Sequence, residues 1–233
     1  GQFLLKKRWS DVAMIVGPQP QDAAYAEALR ASATKLGLSV VAEKDWRFDA
    51  DMRRKAAQEV PLFTQDLEGH DVLLVVDEIG DFARYILFNA WSPRPVVGSE
   101  GLVATAGSPA VEQWGAAQLQ NRFRKFAERS MGARDYAAWA AARSIGEAVT
   151  RAQTAEADAL RDFILSDKFG LAGFKGRPLS YRAWNGQLRQ PIPLAHPRAL
   201  AALAPIEGFL HERTELDTLG VDAPQSVCAA FGG

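Results

Sequence analysis

The run Val72-Leu73-Leu74-Val75-Val76, entered through Asp71 and stopped at once by Asp77-Glu78, constrains this chain more than any other stretch. An unbroken apolar run bounded by polar residues is the pattern of a strand buried on both faces, as in a parallel sheet. The carboxylates then mark the strand's carboxyl end. A second strand, Pro95-Val96-Val97-Gly98, ends in the small polar turn Ser99-Glu100-Gly101. Open α/β sheets bind ligands in the crevice beyond such ends, so the two strands aim polar groups at one place.

The flanking sequence supplies the remaining units. Phe3, Leu4, Leu5 and Trp9 around Lys6 to Arg8 suggest the last turns of a helix, followed by a strand over Val12 to Val16. Gly17-Pro18-Gln19-Pro20-Gln21-Asp22 breaks the pattern, and Asp22 is the expected N-cap of a helix from Ala23 to Leu36 that Gly37 stops. A strand over Ser39 to Ala42 continues into Glu43-Lys44-Asp45-Trp46-Arg47-Phe48. After Asp49 and Asp51 a helix is expected from Met52 to Leu62, broken in its last turn by Pro61. A helical segment from Phe82 to Trp91 joins the two central strands. Strands alternating with helices imply a parallel, doubly wound sheet.

Beyond Gly101 the texture changes. Val111, Trp114, Leu119, Phe123 and Phe126 fit helical spacing, as do Tyr136, Trp139, Ala142, Ile145 and Val149, and a third helix is expected over Glu156 to Leu165. Aromatic stripes of this kind are expected to be core. From Phe169 onward the chain is rich in Gly and Pro, with β segments expected near Pro178 to Trp184, Gln190 to Leu194 and Ala204 to Phe209. Asn185-Gly186 is a hairpin turn signal.

Several chemistries find no support. The two prolines after the first strand remove backbone donors where a phosphate loop needs them. His70, His196 and His211 lack zinc-site spacing, and Ser99 is not preceded by the glycine of a nucleophile elbow. The reading is therefore of a binding protein and not an enzyme, without cofactor or metal. A net charge of −1 and an isoelectric point near 6.4 give no reason to expect nucleic acid. The single cysteine, Cys228, excludes an intrachain disulfide, and no apolar run reaches the length of a membrane span. The amide, indole, hydroxyl and carboxylate groups of Gln19, Gln21, Trp46, Asp77, Glu78, Ser99 and Glu100 share one topological edge and suit a small polar or weakly cationic ligand. Asp77 or Glu78 capping the following helix is the competing structural role.

The order of these features resembles the second lobe of a type I periplasmic substrate-binding protein of the branched-chain amino acid class. The helix ending in Lys6-Lys7-Arg8-Trp9, the strand Val12 to Val16, the helix closing in Lys35-Leu36-Gly37 and the two central strands carry the likeness. Tyr136 to Ala148 resembles the helix that re-enters the first lobe, and Gly176 to Tyr181 with Asn185-Gly186 the hairpin that follows. More narrowly, Val60-Pro61-Leu62-Phe63-Thr64, Trp114 to Phe123, Leu171 to Gly176 and Trp184 to Pro191 resemble the subgroup associated with PQQ-dependent alcohol catabolism.

The resemblance implies a periplasmic receptor that closes around a small-molecule ligand and delivers it to an ABC permease in the membrane, itself inserting in none. A ligand-sensing regulatory domain of the same fold is the alternative. The resemblance implies residues 1–108 as the second lobe, 109–185 as helices and hairpin of an incomplete first lobe, and 186–233 as a return segment and tail. Asp77-Glu78 stands where amino-acid-binding relatives carry an aromatic residue, which argues against an amino acid ligand. The first lobe's opening βαβ units are expected to precede Gly1, leaving apolar helix faces over Val111 to Leu165 exposed.

Overall fold

The computed structural model describes residues 1–48, 52–67 and 69–231, so the expected lead-in at Asp49 and Asp51 lies outside the described residues. The chain forms two compact units, Gly1–Ala104 and Thr105–Gly233.

In the first unit the order is α1 (Gln2–Lys7), β1 (Asp11–Val16), α2 (Pro20–Leu36), β2 (Ser39–Asp45), α3 (Met52–Thr64), β3 (Val72–Val76), α4 (Ala83–Asn89), β4 (Val96–Gly98) and β5 (Val103–Ala104). Strands β2-β1-β3-β4 make one sheet, parallel at every pairing. All five β3 residues are buried because both faces are covered. Val12, Met14, Val72 and Leu74 pack with Leu4 of α1 and Ala26 of α2 on one side. Ala13, Ile15, Leu73 and Val75 pack with Val60 of α3 and Ile86 of α4 on the other. The period of two along each strand sends neighbours to opposite layers, both apolar.

Two helix ends differ from the sequence expectation. The second helix starts at Pro20, with Gln19 as its N-cap, so Asp22 is not the cap but the third helical residue. Proline suits the first turn, where its missing N–H has no helical partner to lose. The third helix runs through Pro61 to Thr64, whose hydroxyl donates to the Val60 carbonyl at 2.8 Å.

The second unit contains α5 (Ala116–Ala127), α6 (Ala133–Ala152), α7 (Ala157–Leu165), β6 (Leu171–Ala172), β7 (Pro178–Tyr181), β8 (Leu188–Arg189), β9 (Ile192–His196) and β10 (Ala199–Ala204). The β6-β7-β8 strands are antiparallel, and the Asn185-Gly186 hairpin forms as expected, Arg182 N–H donating to the Gln187 carbonyl. The strand expected over Ala204 to Phe209 lies earlier, as β10.

The aromatic-stripe expectation holds in part: Tyr136 is core, and Trp139, Leu119 and Phe123 pack against that core, while Trp114, Phe126, Ala142, Ile145 and Val149 are exposed. The buried line of α6 is Tyr136, Ala140, Ser144 and Ala148, spaced by four, while Ile145 is 55% exposed. Small residues let β6 and β7 approach: the Tyr136 hydroxyl donates to the Gly173 carbonyl at 2.7 Å, and Ser144 and Tyr181 hydroxyls meet at 2.8 Å. On α5, Phe126 is 90% exposed, and Val111 and Trp114 precede the helix altogether.

Candidate ligand-binding site

Three of the parallel strands end in turns that are wired to one another. After β1 the Gly17 N–H donates to the Val76 carbonyl at 2.8 Å. A Cβ on Gly17 would lie 2.3 Å from an Asp22 carboxylate oxygen, so glycine is what admits that carboxylate. Asp22 is fully buried. One oxygen accepts from Gln19 N–H at 3.0 Å and the other from Glu78 N–H at 2.7 Å. A single buried carboxylate thereby fixes the loop after β1 to the loop after β3, and hydrogen bonds to a charged acceptor are the stronger kind.

Ser99 makes the equivalent tie from β4. Its N–H donates to the Val75 carbonyl at 2.8 Å, its hydroxyl oxygen accepts from Asp77 N–H at 2.9 Å, and the hydroxyl donates to Glu78 Oε1 at 3.2 Å. Gly98 precedes it at φ 125°, and a Cβ there would sit 2.3 Å from the Val75 carbonyl oxygen. Only glycine meets both demands. Glu78 is left exposed, with one carboxylate oxygen anchored by Ser99.

Gln19 and Glu78 are thus linked through Asp22, and Glu78 in turn to Ser99. Gln21 is exposed on the first turn of α2, and Glu100 is half-buried, its carboxylate accepting from Gly101 N–H at 3.4 Å.

Two expected ligand groups have structural positions instead. Asp77 is buried, and its carboxylate accepts from Asp81, Phe82 and Ala83 N–H at 2.9, 2.7 and 2.8 Å, satisfying the start of α4. Its acceptors are spent inward, which is the helix-capping alternative. Trp46 is buried, stacked on Phe82 at 4.3 Å between ring centroids and edge-on to Phe48 and Phe63. Its indole packs the α3–α4 layer and supplies no polar group to the rim.

Two residues escaped the sequence reading. Asp22 organises the rim, and the signal for it was its spacing of three from Gln19 across a proline. Tyr25, one turn further along α2, has its phenol pushed above the ordinary value by burial and then by the charge of Glu78. Chemically the rim offers a carboxylate, a hydroxyl and amide groups held by the backbone, a set that grips hydroxyl or ammonium donors. Among the described residues no group of three or more His, Cys, Asp or Glu is placed to hold a metal ion.

No protein-family model matches the sequence, and no curated protein does. Solved structures do match. A Rhodospirillum rubrum structure assigned to a branched-chain amino acid ABC transporter aligns with a TM-score of 0.65 at 16% identity, over 85% of this chain and 62% of that one. A branched-chain amino acid ABC transporter periplasmic ligand-binding protein from Burkholderia xenovorans aligns at 0.64 and 15%, over 86% and 58%. An ABC transporter solute-binding protein from R. palustris, in complex with benzoate, aligns at 0.59 and 11%, over 87% and 60%. The chain therefore spans about three fifths of the length of these neighbours. At such identities the likeness shows the fold, the type I periplasmic-binding-protein architecture.

Proposed function

We propose that this protein is the solute-binding receptor of an ABC importer, not an enzyme, and that its ligand is a small polar metabolite. The observation that carries the reading is the rim itself. Buried Asp22 accepts from the Glu78 backbone N–H and half-buried Ser99 donates to the Glu78 carboxylate at the carboxyl ends of parallel strands, where open α/β sheets take their ligands. The group is preorganised and lacks a base or nucleophile partner, which suits gripping a solute without altering it. The fold is shared with solute-binding proteins of ABC transporters.

In this reading Gln19, Gln21, Glu78, Ser99 and Glu100 face the ligand, while Asp77 and Trp46 build the wall behind them. Residues 1–108 are the second lobe, 109–185 the helices and hairpin of an incomplete first lobe, and 186–233 a return segment and C-terminal tail, of a receptor whose whole form closes on its ligand by a hinge. Such a receptor works in the periplasm and hands its ligand to a membrane permease. Among the described residues no helix is long and apolar enough to cross a membrane. The motifs over residues 60–64, 114–123, 171–176 and 184–191 support a link to PQQ-dependent alcohol oxidation, hence an alcohol-derived or quinone-related solute.

A thermal-shift screen of the complete protein against alcohols, acids, amines and quinones tests this. A ligand present at about a hundredfold its dissociation constant stabilises the folded state by roughly 2.7 kcal/mol and raises the melting temperature visibly. One class is expected to do so without being consumed. Turnover of the hit, or no shift from any class, contradicts the reading.

A further inference from the structure

A second site, remote in sequence from the strand-end rim, lies in the Thr105–Gly233 unit. It is an open hollow of about 750 Å³ with Trp184 as one wall and the stretches 210–213 and 222–224 as the other. That volume falls within the range of small-molecule pockets.

Both walls are held rigid. The guanidinium carbons of Arg182 and Arg189 lie 5.5 and 5.1 Å from the Trp184 ring centroid, and Asp217, fully buried, accepts from both Nε atoms at 3.0 and 2.8 Å. The indole is therefore a fixed platform resting on a cluster with one excess positive charge. Opposite, His211 Nδ1 accepts from Arg213 N–H at 3.1 Å, and His211 Nε2 and Asp222 are 2.9 Å apart. That wall also carries Leu210, 91% exposed, and Pro224. Of the charged groups at the mouth, the Arg213 guanidinium and the Glu212 carboxylate make no hydrogen bond or ion pair among the described residues.

We infer that this hollow binds a planar aromatic carboxylate, its rings against Trp184 and Leu210 and its carboxylate on Arg213. Apolar surface without a cover, a flat indole and one uncommitted guanidinium are the complements of such a molecule. The positive cluster beside Trp184 favours an acid over an amine despite Glu212 and Asp222, the latter engaged with His211 Nε2, because charge next to a low-dielectric wall is screened less than charge in water.

Naphthalene-1-acetate, naphthalene-1-ethanol and naphthalene-1-ethylamine share one ring system and differ in charge. Each is titrated into the complete protein by calorimetry and by NMR of the indole N–H resonances, with Trp184 assigned through Trp184→Phe. The acid is expected to bind tightest and to shift the Trp184 resonance. Exposed Arg213→Gln is expected to weaken the acid about tenfold, as loss of a charged hydrogen bond does, and to change the alcohol by less than about twofold. Glu78→Ala is expected to leave acid binding unchanged, separating this site from the strand-end rim. Preference for the amine, an unmoved Trp184 resonance, or acid binding that survives Arg213→Gln overturns the inference.

Discussion

Both units have apolar cores and buried polar ties, but the first buries carboxylates against backbone N–H groups at its strand ends, whereas the second buries cations. In Gly1–Ala104 the inner strands β1 and β3 are sandwiched between two apolar helix layers. In Thr105–Gly233 the Lys175 ammonium is buried against the Ala106 and Pro191 carbonyls and lies 4.6 Å from the Tyr136 ring centroid. Gln120 exchanges two hydrogen bonds with the Met131 backbone, and Arg182 and Arg189 share Asp217. Apolar burial is non-directional and tolerates small changes of shape. Polar ties in a low-dielectric interior fail sharply when one partner goes.

Removing such a partner is the hardest test of that contrast. Asp217→Ala takes the counter-charge from the buried Arg182 and the half-buried Arg189 and is expected to cost about 3–5 kcal/mol by urea denaturation. A loss below about 1 kcal/mol would erase the distinction between polar ties and apolar layers. Lys175 gives a smaller effect with a definite sign. Burial lowers its ammonium from an ordinary value of 10.5 to about 8. Between those pH values the unfolded chain holds a proton that the folded chain has released, so stability rises with pH across the window and is flat in this respect below it. Lys175→Met is expected to remove that rise in thermal melts from pH 8 to 10.5. In the apolar layers of the first unit, Ile15→Val deletes one buried methylene and is expected to cost about 1 kcal/mol. Phe126→Ser, on a side chain already in solvent, is expected to stay within about 0.5 kcal/mol; a larger loss would mean that α5 buries this face in solution.

The same contrast explains what was legible in the sequence. The β3 run and the Asn185-Gly186 turn announce themselves because their meaning is local: five apolar neighbours in a row, or two residues that favour a left-handed turn. The roles of Asp77 and Trp46 were not local. Asp77 was recognisable as a strand-end carboxylate, but whether it faced a ligand or α4 depended on where the chain turned after Val76. Trp46 alternates with polar residues, yet stacks on Phe82, 36 positions away, inside the helix layer. The polar ties are harder still. Arg182 and Asp217 stand 35 residues apart, Lys175 and Ala106 69 apart, and no periodicity links them. Periodicity misjudged only the later turns of α6, where Ser144 and Ala148 pack while Ala142, Ile145 and Val149 are exposed.

The fold reading survived because it rested on the inner strands, whose carboxyl ends bring Gln19, Glu78 and Ser99 together. What the rim grips turns on one side chain. Calorimetric titration of the thermal-shift hit into the complete protein and its Glu78→Ala variant tests this most directly. A carboxylate that carries the contact predicts a dissociation constant raised about tenfold or more in the variant, with melting temperature without ligand little changed. Equal affinity in the two proteins would place the ligand elsewhere and contradict the account.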